Sequence, residues 1–171
     1  MNDREKMLLD WMRKIHQLEY AHCYQSIKYG KIQNFIGISA FLLSTFTAFY
    51  SKFPEFVDEN INEFVKNSII PFFLLMTAAL TGFQAFFKPS EKAENHRRIG
   101  LEYEKLRHSI EIILTNSQNV NLDQEIQKIK ETWDSMDTVY VNNKCFKDGK
   151  RKVQSLNKYP EELSFLPTVI P

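Results

Sequence analysis

The sequence predicts an all-α membrane protein with two transmembrane helices and amphipathic cytoplasmic helices before and after them. Two uncharged, apolar stretches of about 20 residues lie close together in a chain of 171 residues, and apolar residues elsewhere recur at helical spacing. A helix of about 20 residues rises roughly 30 Å, which is the thickness of the hydrocarbon core of a bilayer. Buried helices of soluble proteins are also apolar all round, but such a long adjacent pair is unusual in a chain this small.

The composition restricts the number of structural units and the kinds of partner and site that the chain is expected to have. A chain of this length is expected to form one structural unit, and its net charge of +1 gives no reason to expect a nucleic-acid partner. The two cysteines, Cys23 and Cys145, lack the CxxC spacing of a zinc site and suggest no disulfide framework. The first 31 residues contain no apolar core of a signal peptide, so the first span is expected to act as its own insertion signal.

The first predicted element is a cytoplasmic helix over residues 3–30, followed by a first span at about 32–51. Lys31 and Lys52 bracket this span. The helical pattern is expected to continue without a break into the span. It rests on apolar residues three or four positions apart, namely Leu8, Trp11, Ile15 and Leu18.

The second span is predicted at about 67–87, closed by Lys66 and Lys88, with Pro71 near its start. The connection between the spans is short and net acidic, whereas the outer flanks are basic. The positive-inside rule then predicts both termini in the cytoplasm. Within the connection, a short helical or interfacial piece is expected to contain Phe56, Ile61 and Phe64.

Two further cytoplasmic helices are predicted at about 90–116 and 122–138. Each carries a narrow apolar stripe, which is expected to pack these helices within a protomer or between protomers. The stripes are Ile99, Tyr103, Leu106, Ile110 and Ile113, and then Leu122, Ile126, Ile129, Trp133 and Met136.

The tail, residues 142–171, is predicted to be irregular because it ends in Pro160, Pro167 and Pro171. It also carries a basic cluster, for which we favour a solvated tail over a site for anionic lipid headgroups or a phosphorylated ligand. The cluster comprises Lys144, Lys147, Lys150, Arg151 and Lys152.

No sequence motif indicates an enzyme. The chain has no Gly-rich dinucleotide fingerprint, no P-loop, no HExxH zinc motif and no GxSxG nucleophile elbow, so we expect no catalytic residues, no cofactor and no metal. A metal site formed by His96 and His108 is conceivable, but surface or interhelical histidines are the favoured interpretation.

Polar side chains inside the spans are the candidate functional residues. An uncharged polar face can line a water-filled pore when several protomers assemble, with Lys31 and Lys88 at its mouths or at the membrane interface. Alternatively, the hydroxyls bond to their own helix, and small residues such as Ala78 and Gly82 hold helices together. The candidate pore-lining residues are Thr77, Thr81 and Gln84 in the second span and Asn34, Ser44 and Thr45 in the first.

The segment FFKPSEKAENHRRIGLEYEKLRHSI, residues 86–110, resembles the signature of the SLATT domain family. The upstream sequence AHCYQSIKYGKIQNFIGI is similar to the helix that leads into the first span of that family, and the resemblance covers roughly residues 5–135. The matching positions downstream of the second span are Pro89, Glu91, Lys92, His96, Gly100, Tyr103 and Leu106, and those upstream are His22, Tyr29 and Asn34.

The resemblance implies a single two-span domain over residues 1–141 in the bacterial inner membrane. SLATT proteins are bacterial effectors associated with nucleotide-signalling antiphage systems. The resemblance implies that copies oligomerise and open a pore, causing depolarisation and growth arrest or cell death. The chain has no recognisable sensor domain. Sensing is therefore expected to reside in a partner, a cytoplasmic sensor or nucleotide-signalling protein, or in the tail after Asn142.

Three functions therefore compete. The first is the pore-forming effector, and the second is a non-conducting anchor or scaffold for a cytoplasmic partner. The third, an enzyme acting on lipid, rests only on His96 beside Glu94.

Overall fold

The computed structural model describes residues 3–52, 63–116 and 121–160. These residues form five α-helices with no strand among them, which confirms the all-α prediction. A π-helical segment, Val65–Ile69, directly precedes the second helix. The helices are α1 (Asp3–Lys52), α2 (Ile70–Phe87), α3 (Pro89–Thr115), α4 (Leu122–Ser135) and α5 (Asn143–Ser155).

Helix α1 is a single helix of 50 residues that contains both the charged N-terminal segment and the first apolar stretch. Neither Gly30 nor Gly37 interrupts it. The connection at 53–62 lies outside the described residues, and so do Phe56 and Ile61 of the predicted helical or interfacial piece.

The boundary between α2 and α3 is set by two adjacent residues. Lys88 adopts a left-handed conformation with φ of 45°, and its N–H donates to the Gln84 carbonyl 3.1 Å away, which ends α2. Pro89 then occupies the first position of α3, where its missing N–H has no helical acceptor to lose.

Helices α1, α3 and α4 share one hydrophobic core. The stripe of α3 packs against the N-terminal part of α1, and Ile129 of α4 completes the cluster. At its edge, Trp11 and Trp133 meet edge to face with ring centroids 5.9 Å apart. The fully buried members include Leu8 and Ile15 of α1 and Ile99 and Ile110 of α3. The predicted stripes thus pack within one protomer.

The prediction of an irregular tail is wrong for residues Asn143–Ser155, which form α5. The Asn142 side chain accepts a hydrogen bond from the Lys144 backbone N–H at 2.9 Å and caps the start of this helix. Cys145, Gly149 and Val153, four residues apart, form its buried face. That face contains only small or medium side chains, so it lacks the large apolar residues by which the other stripes were recognised.

Packing groups the chain into two compact units. One combines the residues up to Ile27 with those from Ala93 onward, and the other is Lys28–Lys92. The first unit contains the hydrophobic core described above. The second unit contains both apolar stretches, so each unit has packing of its own.

Candidate functional site

The two apolar helices pack through a regular seam. Residues on the seam are buried or half-buried and recur alternately four and three positions apart, as in a coiled coil. Phe46 of α1 also meets Phe73 of α2 edge to face, with ring centroids 5.4 Å apart. The seam consists of Ile36, Ala40, Leu43, Thr47 and Tyr50 in α1 and Phe73, Thr77, Leu80 and Gln84 in α2.

Outside the seam, both helices expose large apolar side chains. Only 17% of the most apolar window of α1 is buried, and none of the corresponding window that includes α2 is buried. Phe35 is 71% exposed and Phe86 is 82% exposed. Both helices are long and apolar enough to span a membrane. An apolar surface this large marks contact with lipid or with other chains.

The seam separates the candidate pore-lining residues of the second span. Thr77 and Gln84 are half-buried on the seam, whereas Thr81 is exposed beside it. The α1 candidates Asn34, Ser44 and Thr45 are all exposed as well. A single protomer therefore does not bring the six residues onto one surface.

The hydroxyls of these helices donate to their own backbone. Thr77 Oγ1 donates to the Phe73 carbonyl at 2.8 Å, and Thr81 Oγ1 donates to the Thr77 carbonyl at 2.8 Å. Ser44 Oγ does the same to the Ala40 carbonyl at 2.8 Å. This is the alternative use expected for hydroxyls in membrane helices. Each hydroxyl oxygen still has acceptor capacity for water.

A small-residue face of α2 has no neighbour within the described protomer. Ala78 and Gly82 lie four residues apart and both are exposed. A methyl group added at Gly82 would meet no described atom within 4 Å. Close approach of helix backbones at such residues is a common basis of helix association in membranes.

The lysines at the ends of the apolar stretches are exposed. Lys88 Nζ binds the Glu91 carboxylate at 3.0 and 3.1 Å, and Lys31 lies on the surface of α1. Lys92 Nζ lies 5.7 Å from the centre of the Phe87 ring, within cation–π range. Lysines at the end of an apolar helix are typical of a membrane interface, because their long side chains extend to the headgroup region.

The motif residues of α3 lie against α1. His96, Gly100, Tyr103 and Leu106 are all buried. His96 Nδ1 and His22 Nδ1 of α1 are 3.1 Å apart, so one ring donates to the other. The Tyr103 ring lies 5.6 Å from that of His22. These motif residues therefore form the contact between α1 and α3. Pro89, another residue of the motif, is the first residue of α3.

The surroundings of His22 and His96 favour the neutral form of both rings. Burial, with a further contribution from His96, lowers the pKa of His22 to about 4. Burial also lowers the pKa of His96. At neutral pH both rings are therefore uncharged, which allows one Nδ1–H to donate to the other Nδ1.

Two buried polar contacts were not anticipated from the sequence. Arg107, only 8% exposed, donates to Glu19 of α1 at 2.8 Å and to Glu111 at 3.0 Å. The hydroxyl of Tyr159 lies 2.9 Å from His16 Nδ1. In the sequence, the only indication that Arg107 would be buried is its position directly after Leu106 of the α3 stripe.

The side chains that the sequence offered for a metal site or for chemistry on lipid have other partners among the described residues. Among the described side chains, no group of three or more His, Cys, Asp or Glu is placed to hold a metal ion. His108 Nε2 accepts a hydrogen bond from Arg107 at 3.0 Å. Glu94 is exposed and binds Arg97 at 2.8 Å, whereas His96 is buried. Glu94 and His96 therefore lie in different environments.

No family model, curated protein or solved structure matches this chain. Its class is therefore defined by its own features, which are an all-helical fold and two helices capable of spanning a membrane.

Proposed function

We propose that this protein is a membrane effector that oligomerises into a pore in the bacterial inner membrane. The observation that carries the proposal is the exposed apolar surface of the α1–α2 pair, whose buried seam uses only one face of each helix. Lipid and further copies of the chain are the natural occupants of the remaining faces.

Pore formation requires several protomers, because two helices cannot enclose an aqueous channel. The open face at Ala78 and Gly82 allows close approach of a second copy. Thr81 and Thr45 lie outside the seam, where assembly can bring hydroxyls from several copies around one axis. We therefore favour Thr81 over Thr77 as a pore-lining residue.

The physiological role rests on the resemblance to the SLATT family. It supports an effector of antiphage defence that depolarises the inner membrane and arrests growth or kills the cell. The distribution of charge in the sequence supports cytoplasmic termini, and a cytoplasmic sensor or nucleotide-signalling protein would supply the trigger.

The test compares the membrane potential of bacterial cells that express the wild-type protein, Thr81→Val or Thr77→Val. Both changes replace a hydroxyl with a methyl group of similar size, but Thr81 is exposed and Thr77 lies on the seam. We expect wild-type and Thr77→Val proteins to depolarise the cells, and Thr81→Val to reduce the response severalfold. Carbonate extraction verifies equal insertion of all three. Equal depolarisation by both variants would show that Thr81 does not line the pore.

A non-conducting anchor for a cytoplasmic partner is the second candidate. It is favoured by the hydrogen bonds that the Thr77, Thr81 and Ser44 hydroxyls make to their own helices, because such helices need no pore to satisfy them. An intact potential at high membrane expression, together with a stable co-purifying partner, would support the anchor.

A further inference from the structure

Helix α5 carries the most concentrated positive charge in the described part of the chain. It holds five cations and one carboxylate, Asp148, within 13 residues, a net charge of +4, whereas the whole chain has a net charge of +1. Four of the cations, Lys144, Lys147, Arg151 and Lys152, are exposed.

Packing fixes the direction in which these charges point. Gly149 lies so close to α1 that a methyl group there would be 2.8 Å from the Ala21 nitrogen and the Gln17 carbonyl oxygen. Cys145 and Val153 are buried one turn before and after it. Because this side of α5 is held against α1, the lysines form a persistent outward face.

No lysine of α5 has an ion-pair partner among the described residues, whereas several cations of α3 and α4 do. In α3, Arg97 binds Glu94 and Arg98 binds Glu102, and in α4 Lys128 binds Glu125. Within the described residues, by contrast, the lysines of α5 make no ion pair, and only Arg151 approaches a carboxylate, that of Asp148, at 3.7 Å. The lysine charge of α5 is therefore available to an external anion.

We propose that the outward face of α5 binds the headgroups of anionic phospholipids. The inference rests on the proposed membrane location with cytoplasmic termini, since this places α5 on the side where a Lys-rich surface meets anionic lipid. Lysine suits this partner because it acts as a flexible point charge, whereas nucleic-acid recognition favours the arginine fork and stacking aromatic rings.

The test measures lipid binding to the full chain in neutral detergent micelles by native mass spectrometry. Phosphatidylglycerol is titrated against phosphatidylcholine for the wild type and for the triple variant Lys144→Gln/Lys147→Gln/Lys152→Gln. The control is Lys6→Gln/Lys105→Gln/Lys130→Gln, which removes three exposed lysines elsewhere. Circular dichroism checks that helix content is unchanged.

We expect the wild type and the control to prefer phosphatidylglycerol. Each lysine attracts an anionic headgroup, so the α5 variant should bind phosphatidylglycerol severalfold more weakly than the control. Equal phosphatidylglycerol affinity in the α5 variant and the control would overturn the inference. So would displacement of the lipid by inorganic phosphate at equal headgroup concentration, or tighter binding of single-stranded RNA to the same lysines.

This measurement requires neither assembly nor conductance. Failure of the lipid inference therefore appears as a loss of the difference between the two triple variants. Failure of the proposed function appears separately, as an unchanged membrane potential or as release of the protein by carbonate.

Discussion

Replacing glycine by alanine should raise the stability of the protein at one position in a helix interior and lower it at another. Gly100 lies in α3 and Gly149 lies in α5, and both are buried. In an unobstructed helix, Gly→Ala stabilises by about 1 kcal/mol because alanine loses less backbone entropy on folding. The two sites differ in what the new methyl group would meet.

At Gly100, the nearest atoms to an added methyl are the Glu19 carbonyl oxygen and His22 Cβ, both 3.6 Å away, an ordinary contact distance. We expect Gly100→Ala to stabilise the protein by about 0.5–1 kcal/mol. At Gly149, the nearest atoms belong to the backbone of α1 at 2.8 Å, and no rotamer change can move them. Overpacking costs about 1–3 kcal/mol, so Gly149→Ala should destabilise by up to about 2 kcal/mol after the gain of about 1 kcal/mol in helix propensity.

The assay is chemical denaturation of the full chain in a mild detergent, followed by circular dichroism and by tryptophan fluorescence. The fluorescence of Trp11 and Trp133 reports on the core that contains their edge-to-face contact. The expected order of stability is Gly100→Ala, wild type, Gly149→Ala. A Gly149→Ala protein as stable as Gly100→Ala would refute the close approach of α5 to α1.

Two predictions concern the buried polar contacts. The pKa of His22, about 4, lies below its unfolded value of 6.5, so the unfolded state binds the proton more readily. The contribution of His22 to stability should therefore fall by up to about 3 kcal/mol as the pH drops from 6.5 to 4. The variant His22→Asn keeps an acceptor for His96 and cannot titrate at this position, so it should lose less stability in denaturant titrations across that range. An equal decrease in both proteins would contradict this assignment. Glu19→Gln removes the charge facing the buried Arg107 and should destabilise the protein by about 1–3 kcal/mol in the same titrations. Glu94→Gln on the surface is the control and should have little effect. Similar losses of stability in the two variants would show that the buried Arg107–Glu19 pair contributes no more than a surface pair.

The helical elements could be predicted because their signals are local. The apolar stretches and the stripes of α3 and α4 are visible as hydrophobicity at a fixed spacing, and helix geometry converts that spacing into a face. The break at Pro89 was equally readable, since proline lacks the N–H that would continue the preceding helix. Helix α5 was missed because its buried face depends on a glycine, Gly149, whose role is visible only once α1 lies beside it.

The sequence by itself determined that the chain is helical, that it has two helices long enough to cross a membrane, and that its other helices are amphipathic. Only the tertiary structure decided which side of each helix packs against a neighbouring helix. It placed Thr77 on a seam and left Thr81 outside it, and it brought His22 to His96 and Arg107 to Glu19. The physical reason is that spacing along the chain defines a face, whereas the partner of that face is chosen by packing between residues far apart in sequence.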